Sequence, residues 1–137
     1  MIDNFCRRPL TWLQNKRAAK KAAPPKERVL IYEIRVYEAA DGRADAMRRR
    51  FLDVVAVKFF PRHGIEVVGV FTAPVEDGRL TYMTRFADED ARKKAWSAFA
   101  ADSEWVSAKA TSEVDGPLMK SQVISVLSPA AAGLLLG

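Results

Sequence analysis

The sequence predicts an α+β fold whose elements run strand, helix, strand, strand, helix, strand, with one antiparallel four-stranded sheet and its helices on one face. Three observations predict it. Extended apolar stretches occupy residues 29–37, 65–72, 80–86 and 118–127; apolar residues recur at helical spacing between Ala44 and Phe60; and Gly, Pro and Asp-Gly signals separate these segments. The chain has 137 residues, 49% hydrophobic and 28% charged. That length and balance suit one globular domain and argue against a disordered, collagen-like or disulfide-scaffold chain.

In VLIYEIRVY (29–37), Leu30, Tyr32, Ile34 and Val36 share one face, while Val29, Ile31, Glu33, Arg35 and Tyr37 share the other. Asp41-Gly42 marks a turn. Met47, Phe51, Val54, Val55 and Phe59 then form an apolar helical stripe, with Arg48, Arg49, Arg50, Asp53 and Lys58 between them. Pro61 breaks this helix or forms its last bend, and Gly64 reopens an extended stretch from Ile65 to Thr72. The strand from Leu80 to Phe86 follows Asp77-Gly78, a loop short enough for antiparallel neighbours. Asp88 is the expected N-cap of a helix reaching about Ala100, with Glu89 and Asp90 at its positive end. Its apolar stripe is Ala91, Ala95, Ala98 and Phe99, and its wet side is Arg92, Lys93 and Lys94. A shorter helix from Glu104 to Thr111 follows Asp102-Ser103; Gly116-Pro117 ends it, and LMKSQVISVL (118–127) forms the last strand before Pro129.

This order is the ferredoxin-like pattern, and helices on one face leave the other uncovered. In the second strand Val67, Gly69 and Phe71 lie on one side and Val68 and Val70 on the other, so both sides are expected to leave water. The simplest cover is a second copy, two sheets face to face about a two-fold axis, and a homodimer is expected.

The net charge of +5 is concentrated at one end. Residues 1–25 carry Arg7, Arg8, Lys16, Arg17, Lys20 and Lys21 against Asp3 alone, and the rest is balanced, so the body has no global field to steer a polyanion. Leu10, Trp12 and Leu13 beside the basic run suit a short amphipathic helix for an acidic protein or an anionic surface. The alternatives are a mitochondrial presequence, which Asp3 and the lack of serine before position 97 disfavour, and a solvated tail. No apolar run reaches the roughly 18 residues of a membrane span. The single cysteine, Cys6, points to a reducing compartment, so the expected location is cytoplasmic, or mitochondrial if the arm is a presequence.

The stretches IYEIRVYEAADGRADAM (31–47), PRHGIEVVGVF (61–71), YMTRFADEDAR (82–92), ADSEW (101–105) and KSQVISVL (120–127) resemble the NIPSNAP family, in that order and over about 95 residues. The resemblance implies a dimeric α+β barrel domain over residues 29–128, flanked by the basic arm (1–28) and an apolar tail (129–137). Eukaryotic members are associated with mitochondria and with vesicle or mitophagy-related roles. The wider superfamily includes cofactor-free monooxygenases and haem-degrading enzymes, whose catalytic residues have no match here.

The chain's own groups are therefore weighed singly. His63, the only histidine, sits in the Arg62-His63-Gly64 turn; it suits a helix C-terminus, with haem ligation or base catalysis as the sharper alternative. Glu33, Arg35 and Arg85 lie on strand faces that are expected to point into the barrel, as an ion-pair network or as polar anchors of a cavity. Gln122 and Ser121 can add hydrogen bonds from the last strand. Tyr32, Tyr37 and Tyr82 can donate phenolic protons, although strand tyrosines commonly pack a ring and wet the hydroxyl. Trp96 and Trp105 are expected in the core. No phosphate loop, HExxH, nucleophile elbow, calcium loop or RNA-stacking motif is found, so neither a metal nor a nucleic acid is expected. The leading expectation is a homodimeric binding or interaction protein without a cofactor. The rival is a small monooxygenase or haem-handling enzyme using a barrel cavity.

Overall fold

The computed structural model describes residues 29–131. The basic arm with Arg7, Arg8, Lys16, Arg17, Lys20 and Lys21, and the end of the apolar tail, lie outside the described residues. The chain runs β1 (Ile31–Ala39), a helical run α1 from Ala44 to Arg62, β2 (Glu66–Phe71), β3 (Arg79–Phe86), α2 (Glu89–Ala101), α3 (Ser103–Ser112) and β4 (Met119–Leu127). The strands make one antiparallel sheet in the order β2-β3-β1-β4. The start of β1 falls two residues later than expected, and its end reaches Ala39, which pairs with Met119 and donates its N–H to Gly78 O at 2.8 Å.

The helix α1 departs from simple periodicity. It begins as α-helix (Ala44–Arg50), continues as π-helix (Phe51–Phe59) and closes with an α turn (Phe60–Arg62) that contains Pro61. Its buried residues Met47, Phe51, Val55 and Phe59 are spaced by four. At 3.6 residues per turn each such step drifts about 40° around the helix, roughly 120° over three steps. The wider π turn, with Phe60 N–H bonded to Val55 O five residues back, brings a four-residue spacing back toward one face. Val54, expected in the stripe, is only half-buried.

From the sequence, Glu33 and Arg35 are expected to point into the barrel from the mixed face of β1. The mixed face of β1 turns toward the helices. Tyr37 packs edge-on against Phe51 of α1 with centroids 6.2 Å apart, the Arg35 guanidinium lies 3.6 Å over the Trp96 ring of α2, and Glu33 meets Arg92 of α2 at 2.8 Å. Their β3 partners in register are Leu80, Tyr82 and Thr84, all buried. Arg92, expected on the wet side of its helix, is therefore turned inward by the buried Glu33 carboxylate.

Around this sheet the core is an aromatic cluster. Phe60, fully buried, touches Phe51, Tyr82, Trp96 and Phe99 with centroids 5.3–5.8 Å apart. The neighbouring Phe59 is also fully buried because it faces Trp105 of α3 instead, at 5.6 Å. Among the described residues no helix packs on the opposite sheet face, which has Tyr32, Ile34, Val36, Met83 and Val123 in register. Phe71 and Val123 are 58% and 59% exposed there.

Candidate functional site

Between the sheet and its helices lies a cavity of about 360 Å³. β1 contributes Arg35 and Tyr37, and β4 contributes Met119 and Gln122. From α1 come Met47, Arg50, Phe51 and Val55; from α2, Trp96, Phe99 and Ala100; from α3, Trp105 and Lys109. Five aromatic rings and three cations therefore face one space. Phe99 and Trp105 stack at 5.0 Å, joining α2 to α3, and Trp96 meets Phe99 edge-on at 5.9 Å.

The cations are held from behind. The Arg35 side chain is 13% exposed and donates from Nε to Glu33 Oε2 at 2.8 Å. Glu33 is fully enclosed, and its other oxygen accepts from Arg92, whose remaining donors grip Glu89. The Arg50 side chain is 9% exposed; it donates to Ser112 Oγ at 3.1 Å, lies 3.4 Å from Glu113 Oε2 and sits 5.5 Å from the Trp105 ring centre. On the floor the hydroxyls of Tyr37 and Tyr82 are 2.5 Å apart. Burial pushes both phenols above their ordinary value, and for Tyr82 the neighbouring Tyr37 pushes further the same way. Both stay protonated at neutral pH.

The candidate residues from the sequence divide between distinct places. Arg35 and Gln122 lie in the cavity wall, Tyr82 lies beneath Tyr37, and Glu33 stands behind Arg35. His63 is not in the wall. Its backbone N–H closes the end of α1 on Phe59 O and Phe60 O, and its Nε2 lies 2.7 Å from Asp102 Oδ2 between α2 and α3. Arg85 is on the opposite face, in register with Tyr32 and paired to Glu66. Arg35 and Arg85 therefore cannot converge: Arg35 pairs with Tyr82, and three residues along a strand reverses the side-chain direction. Trp96 and Trp105, expected as core packing, also line the cavity. Arg50 was hidden in an Arg-Arg-Arg run, yet it lies three residues after the buried Met47, on the same helix face.

Asp102 ties the cavity's outer helices together. It caps α3 by accepting from Glu104 N and Trp105 N, and it receives His63 and Arg62 from the end of α1. The His63 hydrogen bond first, then Arg62 and the two backbone amides, hold its carboxyl down to about 2, against an ordinary 3.8. A carboxyl lowered by folding adds stability above its unfolded value and loses it as pH falls through the folded one. Stability should therefore fall between about pH 4 and pH 2, and Asp102→Asn should flatten that limb of a urea-midpoint profile. An unchanged limb would assign the acid sensitivity to other carboxylates.

Among the described residues no group of three or more His, Cys, Asp or Glu is placed to hold a metal ion, and no helix is long and apolar enough to cross a membrane.

The arrangement defines an α+β, ferredoxin-like chain with an aromatic, cationic cavity between sheet and helices. The NIPSNAP family model matches residues 32–132, and the chain belongs to the NIPSNAP family. Among solved structures it is similar to a NIPSNAP family protein of unknown function from Agrobacterium tumefaciens str. c58, at 22% identity and a TM-score of 0.65, covering 80% of this chain and 96% of that one. A NIPSNAP-like domain protein from Burkholderia xenovorans aligns at 16% identity and a TM-score of 0.66, covering 81% and 94%. A proposed antibiotic biosynthesis monooxygenase from Caulobacter crescentus CB15 aligns at 18% identity and 0.55, covering 76% and 92%. These likenesses show the fold. No curated protein matches the chain.

Proposed function

We propose that this chain is a homodimeric binding protein that holds a small molecule in the cavity between its sheet and helices. The observation that carries the reading is the cavity itself, which falls in the size range of small-molecule sites and combines aromatic walls with a few convergent polar groups. Haem fits these residues poorly, because His63 lies outside the wall with Nε2 engaged by Asp102. Native mass spectrometry of the protein from its own source tests the reading: a small mass retained by the folded protein and lost in an Ala100→Trp variant is expected, since tryptophan at that wall position would fill the space. A retained mass unaffected by that variant would place the ligand elsewhere.

The dimer reading rests on the uncovered sheet face. Exposed Phe71 and Val123 beside Ile34, Val36 and Met83 make an apolar surface of the kind that marks an interface. β4 is exposed on both faces, including Ile124 and Val126, and so offers the partner an edge as well. Val123→Glu should weaken dimerisation at least tenfold in sedimentation experiments while leaving the monomer folded; an unchanged dimer would put the interface elsewhere. The basic arm is read as docking the dimer to an acidic protein or anionic surface. Deleting residues 1–25 should then abolish salt-sensitive association, and association that survives would remove the arm from this account.

A second reading, oxygenation of the bound molecule, draws on the name of the Caulobacter neighbour and on the protonated Tyr37–Tyr82 pair on the cavity floor. Oxygen consumption coupled to loss of the retained molecule would favour it over simple binding.

A further inference from the structure

We infer that the cavity selects a planar aromatic acid, with its ring system against the tryptophan and phenylalanine walls and its carboxylate answering Arg50 and Lys109. The inference rests on the reading of the cavity as a ligand site and adds the chemistry of what enters it.

The charge of the walls carries the argument. Arg35, Arg50 and Lys109 line the cavity, and among the described residues no carboxylate does. Arg35 is answered by Glu33, which it shares with Arg92. Arg50 is answered among the described carboxylates by Glu113, at the longer distance of 3.4 Å, and its side chain is 9% exposed. For Lys109, on the exposed side of α3, no carboxylate lies within ion-pair distance among the described residues. The cavity therefore keeps positive charge in a partly dry setting, where one anionic group would be bound more strongly than in water. A guanidinium presents a planar fork that matches a carboxylate, and an ammonium beside it adds a point charge.

The remaining surface asks for a flat, apolar body. Trp96, Phe99 and Trp105 give ring faces and edges that a planar ligand can stack against or meet edge-on. The Trp96 indole N–H is buried without a hydrogen-bond partner among the described residues. A buried donor left unpaired is costly. A cavity of about 360 Å³ suits one small molecule and is too small for a peptide helix, about 10–12 Å across with its side chains.

The test is calorimetric titration of the full chain with 2-naphthoate and with its neutral analogue 2-naphthamide. Naphthoate should bind at least tenfold more tightly, and this preference should shrink about tenfold in Arg50→Gln and also fall in Lys109→Gln, a surface change that leaves the core untouched. If both probes bind equally, the cavity stands as a ligand site and the acid selectivity is overturned. If the acid preference survives both substitutions together, the anion is held elsewhere, as on the basic arm, and the inference fails. If neither probe binds, the cavity reading itself fails, and the acid inference with it.

Discussion

Replacing Glu33 with alanine is expected to destabilise the fold by about 3–5 kcal/mol, the range for removing one member of a buried charged network. Glu33 is fully enclosed and is the shared acceptor for Arg35 on its own strand and Arg92 on α2, both at 2.8 Å. Without it two guanidiniums, 13% and 18% exposed, face one another with Glu89 gripping only Arg92. With a slope near 2 kcal/mol/M, the urea midpoint should fall by about 2 M. A loss below about 1 kcal/mol would mean that water already reaches both cations. Because the Arg35 guanidinium also lies over Trp96, the same change should loosen the cavity wall.

Replacing Phe60 with alanine is the second large effect. The ring is fully buried and touches four other aromatic rings, one from β3, one from α1 and two from α2. Truncation removes its burial and leaves a void that the packed rings cannot wholly close, a loss of about 3–5 kcal/mol. In a domain of this size that corresponds to a fall in Tm on the order of 15–25 °C. The exposed Phe71 on the open sheet face gives the contrast: Phe71→Ala should leave the monomer's stability nearly unchanged. Similar losses at both positions in a scanning-calorimetry comparison would contradict the assignment of core and surface.

These two residues show what was legible in the sequence. Element order, turn signals and the Asp88 cap follow from local rules, and Asp88 indeed accepts from Ala91 N at 2.7 Å. Which face of the sheet meets the helices was not legible from alternation alone. Tyr32, Ile34 and Val36 form the more apolar face, yet the helices cover Glu33, Arg35 and Tyr37, because Arg92 and Trp96 supply partners that lie about sixty residues away in sequence. A mixed face is buried when distant groups neutralise it, and one strand cannot announce them. Arg35 and Gln122, offered by the sequence as lining of a barrel cavity, stand instead between sheet and helices, whereas Arg85, grouped with them, lies on the opposite face by the register Arg35 to Tyr82. The π-helical segment escaped as well: its sequence reads as an ordinary amphipathic helix, and only the four-residue spacing of Met47, Phe51, Val55 and Phe59 hinted at a wider turn.

The claim that the cavity is the functional centre is tested most directly by proton–nitrogen NMR of the full chain during a titration with 2-naphthoate. The chain has three indole N–H groups, those of Trp12, Trp96 and Trp105, and among the described residues Trp96 and Trp105 line the cavity. The account predicts that the Trp96 and Trp105 signals shift together and saturate, and that Ala100→Trp abolishes both shifts. Unmoved signals from both tryptophans, with saturable shifts elsewhere in the spectrum, would contradict it.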